Sequence, residues 1–442
     1  MRILIVGGEA AGMSAAAKAR RLLKAGEVVV YEASDIISFG ACGLPYFVGD
    51  EFKNPEYMAE FTPEDFAQKG ISVNTRHKVL SVDVDKKTIQ IEHDGRVLTD
   101  QFDRLMIATG AREVRPPIPG LECDGVFGLR RMADGHALKA AVQNPENRRV
   151  VVIGSGFIGL EVVEALVNQG KEVRLIEFAE RVIPDAFDPE ISQHIETELT
   201  EKGVQLHLGE RVEAIQGAPR VRGVLTNRGE YPADIVVVCT GVRPNTDFLE
   251  DTGIERLANG ALVVDRQGRT SLPEVWAAGD CATVWHSVKQ QQVYVPLATI
   301  ANKLGRLVGE NLAGATQEFP GTLASAALQV LGLELGRTGL GEREAQQLGI
   351  DYRTVVVKDK CHTNYCPGQS DIHVKLLYEA TSKRVLGGQI VGRKGAVHRI
   401  DALAVAITMG VTTSQLGMMD FAYAPPFSRT WDVLNVAGNI AK

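Results

Sequence analysis

Apolar residues in this chain gather in short unbroken runs more often than in alternating or helical stripes. Residues 3–6 (ILIV), 28–31 (VVVY), 105–108 (LMIA), 150–153 (VVVI) and 235–238 (IVVV) are each four long, and most end at glycine, threonine or an acid. A run that short predicts a strand. Without a polar face, it predicts a strand buried on both sides, as in a parallel sheet covered by helices. Residues 173–176 (VRLI) and 275–278 (VWAA) fit the same role. Helices are expected over 13–24, after the glycines that follow Ile153, and over 298–312, where apolar spacing is helical and breakers are few.

Residues 88–91 (TIQI) alternate instead, which predicts a strand with one wet face, turned back at Asp94-Gly95. From about residue 322 the pattern changes: strands at 352–357, 373–377 and 389–391 precede a helix near 400–409. That is an α+β unit behind an α/β one. Pro116, Pro117, Pro119 and Gly120 cannot continue regular structure and mark a boundary. The expected division is therefore 1–115 with 246–321 as one discontinuous domain, 116–245 as a second and 322–442 as a third. A chain of 442 residues has room for that many cores.

Bulk properties narrow the partners. A net charge of −7 argues against nucleic acid and against an anionic membrane surface. The apolar start at 3–6 imitates a secretory signal, but glycines and Glu9 interrupt it, and no run approaches the ~18 residues of a membrane span. Six cysteines without regular spacing do not form a disulfide framework, so a reducing cytoplasm is the expected location. The nine histidines lack metal-ligand spacing, and no metal is expected.

Two stretches carry nucleotide chemistry. Gly7, Gly8 and Gly12 follow the first strand, and Glu32 ends the second, where a dinucleotide fold places an acid against a ribose. Glu9 occupies the position at which GxGxxG expects its middle glycine. The second unit is complete: Gly154-Ser155-Gly156-Phe157-Ile158-Gly159 opens a helix, and Glu177 ends the next strand. Backbone N–H groups there suit a pyrophosphate. Glu177 favours a ribose diol over a 2′-phosphate, hence NADH over NADPH, with Arg181 near enough in sequence to soften the preference. Between the two units lies Ser38-Phe39-Gly40-Ala41-Cys42-Gly43-Leu44-Pro45-Tyr46. Its cysteine falls near an expected helix start, which favours thiolate, and reads as redox-active. Cys361 and Cys366 read as incidental.

Two dinucleotide units, an interrupted first domain and a cysteine after the first ribose acid resemble the flavin disulfide reductases over the whole chain. Within their single-cysteine branch, SFGACGLPY and Ala422-Tyr423-Ala424-Pro425-Pro426-Phe427-Ser428 look like the coenzyme A disulfide reductase form. The resemblance implies two Rossmann-like domains plus a C-terminal α+β dimerisation domain. It implies FAD on Gly7, Gly8, Ala11, Gly12 and Glu32, on Ala108, Thr109 and Gly110, on Gly279 and Asp280, and at the helix start Ala298-Thr299. It implies NADH, with NADPH as an alternative, on Gly154, Gly156, Ile158, Gly159, Glu177 and Gly241, with Phe157 covering the flavin and Glu161 near the nicotinamide. Coenzyme A, as substrate or bound thiol, would lie along Ser14, Lys18 and Arg21, which share one helical face, and along Ser38 and Ala41. Ala41 and Trp431 depart from the polar or basic residues of some relatives. Tyr423 and Tyr365 match positions that reach Cys42 from the partner subunit of a homodimer.

The mechanism so implied passes electrons from NADH through flavin to a mixed disulfide between Cys42 and a small thiol, with Tyr423 assisting the departing sulfur. No second cysteine stands four or five residues beyond Cys42, which excludes a dithiol shuttle there. Ala10 replaces the histidine of the peroxidases. The alternatives are an NADH oxidase using oxygen, a persulfide or polysulfide reductase, and a non-catalytic redox sensor or protein electron carrier.

Overall fold

The computed structural model describes residues 1–441. The chain divides into two units, the first made of Met1–Leu44, Phe52–Val114 and Val242–Thr322. Its centre is a five-stranded parallel sheet in the order Val275–Ala277, Arg104–Ile107, Arg2–Val6, Glu27–Tyr31, Ser72–Asn74. The apolar runs end up buried on both faces because helices cover one side and a second apolar layer covers the other. Strand order reverses at Arg2–Val6, so the carboxyl end of that strand is a topological switch point. The alternating strand is real: Thr88–His93 pairs antiparallel with Lys78–Asp83 and Arg96–Gln101. Asp94 and Gly95 both have positive φ (48° and 75°), as a tight hairpin turn demands.

The helix after the first strand runs from Ala10 to Leu22, three residues earlier than the sequence suggested. Glu9 caps it in extended backbone (φ −95°, ψ −155°), a conformation that needs no glycine. That explains how the imperfect glycine pattern still makes the turn. The Ala298–Leu312 helix falls where its spacing placed it and packs along Ala10–Leu22. Gly305 and Gly309 sit directly over the backbone of Ala11 and Ala15, with no room for a Cβ.

The second unit comprises Pro45–Glu51, Arg115–Gly241 and the chain from Leu323. Its parallel sheet repeats the first: Gln205–His207, Glu172–Ile176, Arg149–Ile153, Ile235–Val238, Val126–Phe127. A three-stranded antiparallel sheet accompanies each parallel one, here 212–232 and in the first unit 78–101. Beyond residue 325 the architecture is α+β. Five antiparallel strands, in the order Ala326–Val330, Leu333–Gly339, Val385–Gly392, Asp371–Glu379, Tyr352–Lys360, support the helices Ala396–Thr408 and Val433–Ile440. Lys375 is buried (1% exposed) at the junction of this sheet with the nucleotide-type half. It lies 3.1 Å from Asp188 and 2.8 Å from Glu190, and is paired with Glu342.

Candidate active site

In the first unit, Gly7 has φ +113°, and a Cβ there would run into the Ala108 carbonyl. A Cβ on Gly12 would meet the Gly7 carbonyl. These glycines let strand, helix and neighbouring strand crowd together and leave the turn open to an anionic group. The Glu32 carboxylate accepts the Gly8 N–H at 2.7 Å and the Ser34 N–H at 2.7 Å, so it is fixed beside the turn. Gly279, at φ +87°, approaches Ala11 closely, which sets Asp280 near the start of the same helix. Thr109 donates to the Asn245 carbonyl at 2.7 Å, and Asn245 returns a bond to Thr109 at 3.1 Å. Ala298 and Thr299 are exposed at their helix start, which no side chain caps. The residues fit a dinucleotide of the FAD type.

Cys42 is exposed, on a 3₁₀ turn Ala41–Gly43 that feeds the short helix Leu44–Val48. The turn is tied back to the glycine loop, because the Ser38 N–H donates to the Gly8 carbonyl at 2.9 Å. Ser38 pays for this position with φ +52°. Gly40 donates to Met58 at 2.7 Å and closes the other side. Ser14, Lys18 and Arg21 do share a helical face, yet two of them are engaged across it. Ser14 donates to Asn302 at 2.7 Å and Lys18 pairs with Glu310 at 3.0 Å. Arg21 is exposed and donates to the Ala17 carbonyl. Among the other thiols, Cys281 is fully enclosed, and burial pushes its pKa up to about 11, which suits packing.

The second unit repeats the glycine geometry. Gly154 (φ +98°) abuts the Cys239 carbonyl and Gly159 abuts Gly154, while Gly156 faces open space. A cavity of about 450 Å³ opens here, lined by Gly156, Phe157, Glu177, Phe178, Val212 and Gly241, among others. Ser155 was not singled out from sequence. Its buried hydroxyl donates to Glu177 at 2.7 Å and accepts the Ile183 N–H at 3.1 Å, and its N–H also reaches Glu177 at 2.8 Å. Glu177 is thus aimed by a serine two residues before the helix, a signal that was present in the motif. Arg181 turns inward and donates to the Pro184 carbonyl at 3.0 Å, so its guanidinium serves the loop. The residues fit a pyridine dinucleotide.

Glu161, one turn into the same helix, lines a second cavity of about 310 Å³ with Tyr46, Gln329, Glu334 and His398. Burial, reinforced by Glu164, raises its pKa to about 7. In the C-terminal half, the Tyr365 and Tyr423 hydroxyls lie 3.2 Å apart although 58 residues separate them. The bond from Tyr365 raises the Tyr423 pKa. Cys361 contacts His362 Nδ1 at 3.0 Å and is buried. Among the described residues, no three His, Cys, Asp or Glu side chains converge as metal ligands, and no helix is long and apolar enough to cross a membrane.

Paired nucleotide turns, an exposed cysteine tied to the first of them and an α+β region beyond residue 325 define a flavin- and pyridine-nucleotide-linked oxidoreductase. The chain belongs to the pyridine nucleotide-disulphide oxidoreductase family: its model matches residues 1–305, and the family's dimerisation domain matches 325–433. The family binds FAD and NAD(P)H. The chain is 37% identical to the NAD(P)H sulfur oxidoreductase (CoA-dependent) of Pyrococcus furiosus, over all of this chain and 99% of that protein. It is 30% identical to the coenzyme A disulfide reductase of Staphylococcus aureus, over the full length of both. A water-forming NADH oxidase from Lactobacillus brevis, solved with NADH bound, superposes with a TM-score of 0.95. That oxidase is 33% identical, over all of this chain and 98% of that one.

Proposed function

We propose that this enzyme uses NADH to reduce a sulfur–sulfur bond carried by a small thiol, most simply coenzyme A disulfide, with Cys42 as the only protein sulfur in the cycle. The supporting observation is that Cys42 is exposed on a turn that follows Ser38, whose N–H bonds the Gly8 carbonyl of the glycine loop that fits FAD. The reading divides the chain into an FAD-binding domain (1–115 and 246–321), an NAD(H)-binding domain (116–245) and a dimerisation domain (322–442). Bound FAD would supply a two-electron link between the pyridine nucleotide and sulfur. Glu32 would hold the adenosine ribose of FAD, and Glu177, aimed by Ser155, that of NADH. The Cys42 thiolate attacks the substrate disulfide, one thiol leaves, and a mixed disulfide forms on Cys42. The Tyr423 hydroxyl, supported by Tyr365, gives a proton to the second departing thiol. Those tyrosines would come from the partner subunit of a homodimer.

A second reading, persulfide or polysulfide reduction by the same thiolate, is favoured by the higher identity to a CoA-dependent sulfur oxidoreductase. The engagement of Ser14 with Asn302 and Lys18 with Glu310 also leaves Arg21 as the less committed cation on that face. NADH turnover with coenzyme A disulfide, polysulfide and oxygen, in wild type and Cys42→Ser, separates the readings. Cys42→Ser is expected to abolish sulfur reduction while NADH still reduces the flavin. Equal loss of both half-reactions would refute the assignment, and oxygen as the best acceptor would make the enzyme an oxidase.

A further inference from the structure

Tyr365 and Tyr423 sit on two loops, 361–370 and 421–431, that contain no helix or strand beyond isolated turns. A strand pair would hold such side chains opposite each other through its ladder. These loops reproduce a ladder by other means. Tyr365 and Tyr423 meet through their hydroxyls at 3.2 Å. Two residues back along one loop and two forward along the other, Thr363 donates to the Pro425 carbonyl through Oγ1 at 2.9 Å and through N–H at 3.3 Å. Two further on, the carbonyls of Cys361 and Phe427 both accept from one nitrogen, Arg399 Nη2, at 3.0 and 3.3 Å. The three rungs keep a single antiparallel register.

The last rung is a side chain because both of its groups are acceptors: two carbonyls cannot bond each other, but they can share the Nη2 hydrogen that Asp432 leaves over. Arg399 is itself held. Asp432 accepts from Nε at 2.9 Å and from Nη2 at 2.7 Å, and Gly395 O accepts from Nη1 at 2.9 Å. Asp432 also takes Ser428 Oγ at 2.8 Å and the Leu434 N–H at 3.0 Å, capping the Val433–Ile440 helix. Both charged side chains are almost fully buried, 13% and 8% exposed.

We infer that Arg399, clamped by Asp432, is a positioning residue that sets the register of the two tyrosine loops and thereby brings the two phenols together. The inference rests on the proposed role of the tyrosines in thiol release. Its physical content is that the fork geometry matters, beyond the positive charge.

The test compares flavin-loaded wild type with Arg399→Lys, Thr363→Val and Tyr423→Phe. Arg399→Lys keeps the charge but cannot reach both carbonyls and the carboxylate. It should lower kcat with the sulfur acceptor about 10-fold or more, as loss of a proton donor does. The KM for NADH and the rate of flavin reduction should stay within about twofold of wild type. Tyrosinate difference absorbance should show Tyr423 titrating at lower pH, because the Tyr365 bond that raises its pKa is gone. Thr363→Val should shift both readouts the same way by less, and it decides the matter if Arg399→Lys does not yield dimeric, flavin-bound protein. Wild-type titration and wild-type acceptor kcat in either variant overturn the inference. If Tyr423→Phe keeps full acceptor turnover while Arg399→Lys still shifts the titration, the register stands and the catalytic role of the phenols falls.

Discussion

Under the proposed function, single residues act separately on the two half-reactions. Glu177 has both oxygens engaged by the protein, one by Ser155 and the other by the Ala179 N–H at 2.9 Å. A carboxylate held that firmly repels a 2′-phosphate. Glu177→Ala should therefore lower the NADH over NADPH ratio of kcat/KM by about 10-fold or more, and unchanged selectivity would remove the residue from that role. Glu161 offers a pH test. Its pKa of about 7 lies above the ordinary 4.5, so the native enzyme holds an extra proton between those values. Stability must then fall as pH rises from about 4.5 to 7, by up to about 3 kcal/mol. Glu161→Gln should flatten that limb and any flavin-reduction step with a midpoint near pH 7. The glycine turns and the acid held beside each were legible in the sequence because a tight turn fixes their spacing locally. The bond from Ser14 to Asn302 was not, since its partners are 288 residues apart.

At the scale of elements, the helices Ala10–Leu22 and Ala298–Leu312 pack backbone to backbone in the first unit. Gly305 touches the Ala11 backbone and Gly309 the Ala15 backbone. Gly305→Ala should push the helices apart, cost about 1–3 kcal/mol as overpacking does, and weaken FAD retention, read as flavin released during gel filtration. Retention equal to wild type would show that the contact is not needed for the site. The 298–312 helix was legible because its apolar spacing is amphipathic. The earlier start of the first helix was not, because extended backbone at Glu9 leaves no residue-type signal. The two tyrosines were legible as separate motif positions; their pairing was not, because the loops that carry them have no periodicity from which it or Arg399 could be found.

For the whole molecule, two parallel-sheet units followed by an antiparallel one match a sequence in which apolar runs followed by glycine turns and helices give way, beyond about residue 322, to short strands ahead of a single helix. The ion cluster behind them does not, because charged residues in a sequence read as solvated. Lys375 bridges Asp188, Glu190 and Glu342 at the join of the C-terminal sheet with the nucleotide-type sheet. Lys375→Met leaves acids without their cation and should destabilise by about 3 kcal/mol or more, seen as an earlier urea midpoint for the second unit. An unchanged midpoint would show the cluster to be dispensable. Asp234 contributes at neutral pH and loses that contribution in acid. Bonds from Arg149 and from the Arg148 and Arg149 N–H groups hold its pKa at about 2, below the usual 3.8. Its contribution is complete above about pH 4 and is lost as pH falls through 2. It amounts to about 1–2 kcal/mol once the partly exposed Arg149 is discounted for solvent. Asp234→Asn should therefore lose stability at neutral pH and show a shallower acid limb.

The most direct measurement of the central claim is the intact mass of the enzyme after one equivalent of coenzyme A disulfide, quenched by acid before NADH is added. The account predicts one coenzyme A per chain, on the peptide containing Cys42, missing from a parallel sample given NADH before the quench and absent from Cys42→Ser. An adduct on any other cysteine, or a disulfide formed between Cys42 and a second protein thiol with no coenzyme A retained, would contradict it.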